Sequence, residues 1–170
     1  LAWEHGVPLV PDEAAALLAT ARPRPIWPRV ITDEAGGQRL FVQMAGAGFD
    51  AAVVHGLDLR LKRRLGRAAY VLQALREVAR HPFTPIEAVL DGMPHRATSV
   101  IVTKGRLYAG RHLLAPAARP AAPGFQVALL TATGPAGVVG AALALPLGLR
   151  PRRGLLGGMP ASRVSLAGSG

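Results

Sequence analysis

With 170 residues and 50% hydrophobic content, the chain is long enough for one domain with a real core. It has no Cys, which excludes a disulfide framework and any cysteine-based metal site. A formal net charge of +10 attracts anions in general, but aromatics make up only 5% of the residues and do not interleave with the basic ones, which argues against a stacking platform for single-stranded nucleic acid.

Leu1 to Gly6 reads as the end of a helix, with Gly6 as its stop. Pro11-Asp12-Glu13 opens a second helix, with Asp12 as its N-cap and Ala14 to Ala21 as strong helix formers. Arg22-Pro23-Arg24-Pro25 ends it. Ile26 to Ile31 reads as an edge strand interrupted by Pro28. Residues 33–37 form a turn, and Arg39 to Met44 is the partner strand of a hairpin. Gly46 and Gly48 then supply the conformational freedom of a tight turn, and the apolar run Ala51 to Val54 goes back inside.

Leu61, Leu65, Ala68, Leu72, Leu75 and Ala79 recur at three- and four-residue steps and predict one long amphipathic helix. Lys62, Arg63, Arg67, Arg76 and Arg80 occupy its other faces, and His81-Pro82 ends it. From Pro85 onward the pattern changes to strands. Ile86 to Leu90, Ser99 to Thr103, a bent Leu107 to Leu114, Gly124 to Thr131 and Ser162 to Leu166 are expected, with Asp91-Gly92 as a turn. Pro135 to Leu147 is read as a helix and Leu149 to Pro160 as a basic Gly/Pro loop. Many short strands with turns every ten residues or so suggest a sandwich or a closed sheet; the fold expected is β-rich α+β, a two-layer β-sandwich with one or two packed helices. No charged-then-apolar leader follows Leu1, and the longest apolar run, Ala136 to Leu149, is too short to span a bilayer. The expectation is a cytoplasmic protein, or one peripheral to the inner membrane face.

Little in the sequence carries recognisable chemistry. Gly46-Ala47-Gly48 is followed by Ala51, so the third glycine of a dinucleotide loop is missing, and no G-x-x-x-x-G-K-[ST] phosphate loop is present. His5, His55, His81, His95 and His112 show no metal-ligand spacing. Asp12-Glu13 and Asp33-Glu34 are accounted for by a helix start and a turn. The serines lack the Gly-x-Ser-x-Gly frame of a hydrolase elbow.

The order of several soft motifs is more informative than any one of them. AGAGFDAAV followed by KRRLGRAAY, then Asp91-Gly92, then VTKGRLYAGRHLLAP and APAARPAAPGFQV, resembles the second domain of the diacylglycerol kinase-like lipid kinases. This group includes bacterial diacylglycerol and lipid kinases and the sphingosine and ceramide kinases. LAWEHGVPLVPDEAAALLATARPRPI resembles that family's connection between its two domains. The resemblance implies an interdomain connection over 1–25 and a lipid-side sandwich domain over 26–170, cut short at its C-terminal end. The nucleotide domain, with its Gly-Gly-Asp-Gly-Thr phosphate loop, would lie before Leu1.

The implied activity of the whole protein is ATP-dependent phosphorylation of a lipid hydroxyl with Mg²⁺, within lipid metabolism and phospholipid biosynthesis; the fragment alone would be inactive. The implied partners are a lipid substrate and a peripheral membrane surface, with no nucleic acid. Gly46, Gly48, Phe49 and Asp50 would form the cleft-facing, substrate-binding corner, with Lys104, Gly105 and Gly110 as neighbours. The family's acidic loop departs from its pattern here. Its acidic positions fall on Ala117, Ala121 and Ala122, and Gln126 stands where an acid is common. No catalytic carboxylate and no metal ligand of that loop is intact, which leaves three explanations: another carboxylate such as Asp50 or Asp91 substitutes, the register across this Ala/Pro-rich loop is a different one, or the domain is a non-catalytic lipid- or partner-binding module.

Overall fold

The computed structural model describes residues 2–66, 68–144 and 155–168. In chain order the elements are α1 (Ala2–His5), α2 (Pro11–Thr20), β1 (Arg29–Thr32), β2 (Gln38–Phe41), β3 (Met44–Gly48), α3 (Phe49–His55), α4 (Leu59–Leu65), α5 (Ala68–Arg80), β4 (Ile86–Leu90), β5 (Met93–Ala97), β6 (Ser99–Thr103), β7 (Leu107–Tyr108), β8 (His112–Leu113), β9 (Phe125–Leu130), α6 (Gly134–Ala144), β10 (Leu155–Ala161) and β11 (Val164–Gly168).

Two antiparallel sheets form the body, one ordered β10-β9-β6-β3 and the other β11-β4-β5. Between them lie Ala88 and Leu90 of β4, Ala97 of β5, Val100 of β6, Val127 and Leu129 of β9, and Ala161 of β10. The fold is therefore the β-rich α+β sandwich that the strand pattern predicts. β6 is a continuous β-branched run because both of its faces are covered. Val100 faces the sandwich interior, and Ile101 packs on the other side with Leu114, Ala128, Met44 and Tyr108. β4 has a single covered face, so Ala88 and Leu90 are buried while Glu87 and Val89 are exposed.

The chain changes sheet at two corners. Thr98 separates β5 from β6, and its buried hydroxyl donates to the carbonyls of Leu130 and Ala132 at 3.1 and 2.9 Å. At the β10–β11 corner the Asp91 carboxylate accepts from the amides of Ser162 and Arg163 at 3.0 and 2.8 Å. A third cluster joins α3, α5 and α6 through Phe49, Val53 and Val138, with Ala74, Val78, Phe83 and Leu130 against them.

Several elements differ from the sequence reading. The α2 helix starts at Pro11, and its N-cap Val10 offers no side-chain bond, so Asp12 lies in the first turn instead of capping it. The edge strand is confined to Arg29–Thr32, because Pro28 lacks the amide that a ladder needs. The run from Arg39 to Met44 breaks at Val42-Gln43, and Gly46 lies inside β3, in register with Ile101. The long helix is two helices, interrupted at Gly66 (φ 55, ψ −121). Asp91-Gly92 joins β4 directly to β5, a strand that its Pro and His concealed. Within the predicted loop Leu149 to Pro160, residues 155–160 belong to β10, which pairs with β9, while 149–154 and the end of the predicted helix, 145–147, lie outside the described residues.

Candidate functional site

β3 runs antiparallel to β6 and delivers the chain into α3 at Gly48. The corner is tied down on both sides. The Phe49 amide donates to the Thr98 carbonyl at 3.1 Å. The Ser99 hydroxyl accepts from the Asp50 amide at 3.2 Å and donates to the Ala47 carbonyl at 3.0 Å. The first turn of α3 is therefore held by β6, and Asp50 has a fixed position.

The Asp50 carboxylate is half-buried and accepts a short hydrogen bond from the Tyr108 hydroxyl. Its other oxygen lies over Gly46, where a Cβ would come within 2.9 Å of it. Burial pushes the Asp50 carboxyl above its ordinary range, and the Tyr108 hydroxyl offsets only part of that rise. Burial also pushes the Tyr108 phenol far up, with the charge of Asp50 and the hydrogen bond acting in the same direction. Tyr108 thus stays a proton donor at any working pH, and Asp50 is a carboxylate with a raised affinity for a proton.

The other residues singled out from the sequence have distinct places. Phe49 is 8% exposed, its ring stacked on Phe83 and edge-on to His81, so it anchors the corner from the core side. Lys104 is 1% exposed and directed away into the loop before β9. Its ammonium donates to the carbonyls of Ala122 and Gly124, the latter at 2.6 Å. Burial, together with the nearby charge of Arg29, lowers its pKa. Gly105 lies against the carboxylate of Glu4 from α1. Gly110 belongs with Trp3, Glu4, Gln43, Met44, Leu107 and Ala109 to a small cavity between α1 and the β7–β8 hairpin.

Ala117 and Ala122 line a separate cavity of about 350 Å³ with Asp91, Arg119 and Gln126. Among the described residues Asp91 is the one carboxylate in its lining, and it accepts from the amides of Ser162 and Arg163 at the β10–β11 corner. The Arg119 guanidinium donates to the carbonyls of Pro116 and Ala118 at 2.9 and 2.7 Å, so this loop is held by cations on its own carbonyls. The Gln126 side-chain oxygen is buried without a hydrogen-bond partner among the described residues.

Sequence reasoning missed Tyr108, Ser99 and Glu4. Tyr108 lies 58 positions from Asp50, and nothing in a two-residue strand announces that contact. The Glu4 side chain is 3% exposed and accepts from the amides of Arg106 and Leu107 at 2.9 and 3.0 Å and from the Arg106 guanidinium at 3.0 Å. Burial by itself would raise its pKa, but these donors outweigh it and hold the carboxyl below its usual value of 4.5. A depressed carboxyl stabilises the fold above its unfolded pKa and loses that contribution as pH falls through the folded value. Acidification below that value is therefore expected to release α1 before the sandwich melts. Trp3, whose ring lies 4.3 Å from the Arg111 guanidinium, supplies the fluorescence signal. The change should disappear in Trp3→Phe, and its persistence there would exclude α1 as the source.

No family model matches the chain, and no curated protein matches it by sequence. Solved structures do match. A “putative diacylglycerol kinase” from Bacillus anthracis str. Sterne superposes with a TM-score of 0.67 at 17% identity, covering 97% of this chain and 54% of that one. A diacylglycerol kinase from the same organism gives 0.61 at 15% identity, covering 97% of this chain and 50% of that one. The chain thus spans about half the length of the structures it matches, in their C-terminal part, and it has the fold of that part.

Proposed function

We propose that the chain is the lipid-side domain of a two-domain kinase that transfers phosphate from ATP to a lipid hydroxyl. Residues 1–25 connect it to a nucleotide-binding domain, and 26–170 form the sandwich that receives the lipid. The observation that carries this reading is the fold likeness over 97% of the chain to half of a diacylglycerol kinase structure. The ordered motifs around Asp50 support it independently. Gly46, Gly48 and Asp50 form the cleft-facing corner; Phe49 braces it, and Lys104, Gly105 and Gly110 secure the loops beside it.

Phosphoryl transfer needs a phosphate cradle, a metal and an acceptor for the hydroxyl's proton. The described residues contain no cluster of His, Asp or Glu that fits a metal ion; in this reading the nucleotide domain would hold ATP and Mg²⁺. What this chain can supply is the proton acceptor. Asp50 is a carboxylate with raised proton affinity, fixed at a helix start and hydrogen-bonded by a phenol.

The test is ATP-dependent phosphate transfer by the full-length protein, with Mg²⁺, onto diacylglycerol, sphingosine, ceramide and phosphatidylglycerol in mixed micelles. Transfer to any of them supports the kinase. Lipid binding without transfer supports the second reading, a non-catalytic module, which is favoured by one specific feature: loop 117–124 carries alanines and is held by Lys104 and Arg119 in place of acids.

A membrane surface is proposed as the second partner. No helix among the described residues is long and apolar enough to cross a bilayer. The outer faces of α4 and α5, however, expose Leu59, Leu65, Val71 and Leu75 among Arg60, Lys62, Arg63, Arg64, Arg76 and Arg80. Neither of the two ion pairs among the described residues involves any of these cations. Exposed leucines set among basic residues suit an anionic interface. At roughly 1 kcal/mol per cation near such a surface, replacing Arg60, Lys62, Arg63 and Arg64 by Gln should weaken co-sedimentation with phosphatidylglycerol vesicles at least 100-fold. Undiminished binding would remove α4 from the interface.

A further inference from the structure

The corner at Asp50 is not built by its own elements alone. Its hydroxyl donor, Tyr108, sits on β7, a strand of two residues paired only with β8. So short a hairpin has little stability of its own, and its position must be set from outside. Two side chains of α1 reach it. The Glu4 carboxylate accepts from the two consecutive amides of Arg106 and Leu107 and from the Arg106 guanidinium. The Trp3 ring covers the guanidinium of Arg111 at the far end of the hairpin. Gly105 leaves room for the Glu4 oxygen, since a Cβ there would approach it to 3.1 Å. Leu107 is therefore bonded to α1 at its amide, and the next residue is bonded to Asp50 at its hydroxyl.

We infer that Glu4 is a positioning residue for the Asp50–Tyr108 pair, so that docking of α1 determines whether the Tyr108 hydroxyl caps Asp50. This deepens the functional reading above, because α1 belongs to the segment proposed to join the two domains. Movement of that segment is then felt at the carboxylate. With α1 docked, Asp50 is capped and oriented. With α1 displaced, the hairpin loses its amide anchor and its cation–π contact, and Asp50 loses its donor.

The test reads the phenol and requires no kinase activity, so its failure is distinct from failure of the kinase reading. Tyr70 and Tyr108 are the only tyrosines of these 170 residues, so in a protein of this sequence Tyr70→Phe leaves Tyr108 as the sole phenolate chromophore. In that background Tyr108 should resist ionisation well above the ordinary tyrosine range, and Asp50→Asn should bring its titration down. Glu4→Gln should do the same although Glu4 does not touch Tyr108, and Glu4→Gln with Asp50→Asn should add nothing beyond Asp50→Asn alone. Amide exchange at Val100 and Val127 reports whether the sandwich is intact. A folded Glu4→Gln protein with an unshifted Tyr108 titration would overturn the inference. If Glu4→Gln does not fold, Trp3→Ala decides: a smaller downward shift supports the coupling, and no shift refutes it.

Discussion

Gly48→Ala is expected to destabilise the fold by about 3 kcal/mol or more, a drop in Tm of roughly 10 °C for a domain of this size. Two independent reasons act together. Gly48 has φ 79 and ψ −141, a region essentially restricted to glycine. An added Cβ would also lie 2.3 Å from the Thr98 carbonyl oxygen and 2.8 Å from Ile86 Cδ1. The Ile86 methyl can rotate aside, but the carbonyl cannot. It accepts the Phe49 amide, and Thr98 is locked by its own hydroxyl at the corner between the sheets. Thermal unfolding followed by circular dichroism measures the effect. A loss below about 1 kcal/mol would mean that the β3–α3 corner relaxes, and with it the fixed position of Asp50.

Asp50→Asn is expected to lower phosphate transfer by the full-length protein about 100-fold or more, with little loss of stability. That is the range for removing a positioned general base. Asn is isosteric and can still accept the Tyr108 hydroxyl through its carbonyl oxygen, so the corner should persist. What it cannot do is take up a proton. Wild-type activity should also show an acid limb displaced above the ordinary carboxylate range, because burial raises the Asp50 pKa and the acceptor is lost when the carboxyl is protonated. The limb should be absent in Asp50→Asn. An undiminished turnover in that variant would end the assignment of Asp50 as proton acceptor while leaving the fold untouched. Tyr108→Phe separates the two roles of the pair. Removing the phenol leaves burial to raise Asp50 without opposition, so the acid limb should move further up.

The strand pattern by itself determined that the fold is β-rich, because a half-buried or doubly buried strand leaves its burial in its residue types. Ser99 to Thr103 and Gly124 to Thr131 are legible in this way, and both became central strands. The order of motifs around AGAGFDAAV, Asp91-Gly92 and the Ala/Pro loop pointed to diacylglycerol kinase-like proteins, and solved structures described in those words share this chain's fold. Boundaries set by backbone conformation were less legible. Gly66 breaks the helical run without breaking its apolar period, and β5 (MPHRA) lacks strand-type composition because most of it faces outward.

The site was decided by tertiary structure. Asp50 could be picked out from its motif, but its protonation chemistry depends on burial and on a tyrosine brought to it by a separate hairpin. Lys104 looked like a cleft residue; only the folded loop shows its ammonium enclosed by carbonyls. Glu4 lies in a stretch legible only as a helix end, yet it holds the hairpin through two backbone amides. Periodicity records which side of an element is dry. It carries no record of contacts between residues 58 to 103 positions apart, such as Asp50 with Tyr108 and Glu4 with Leu107.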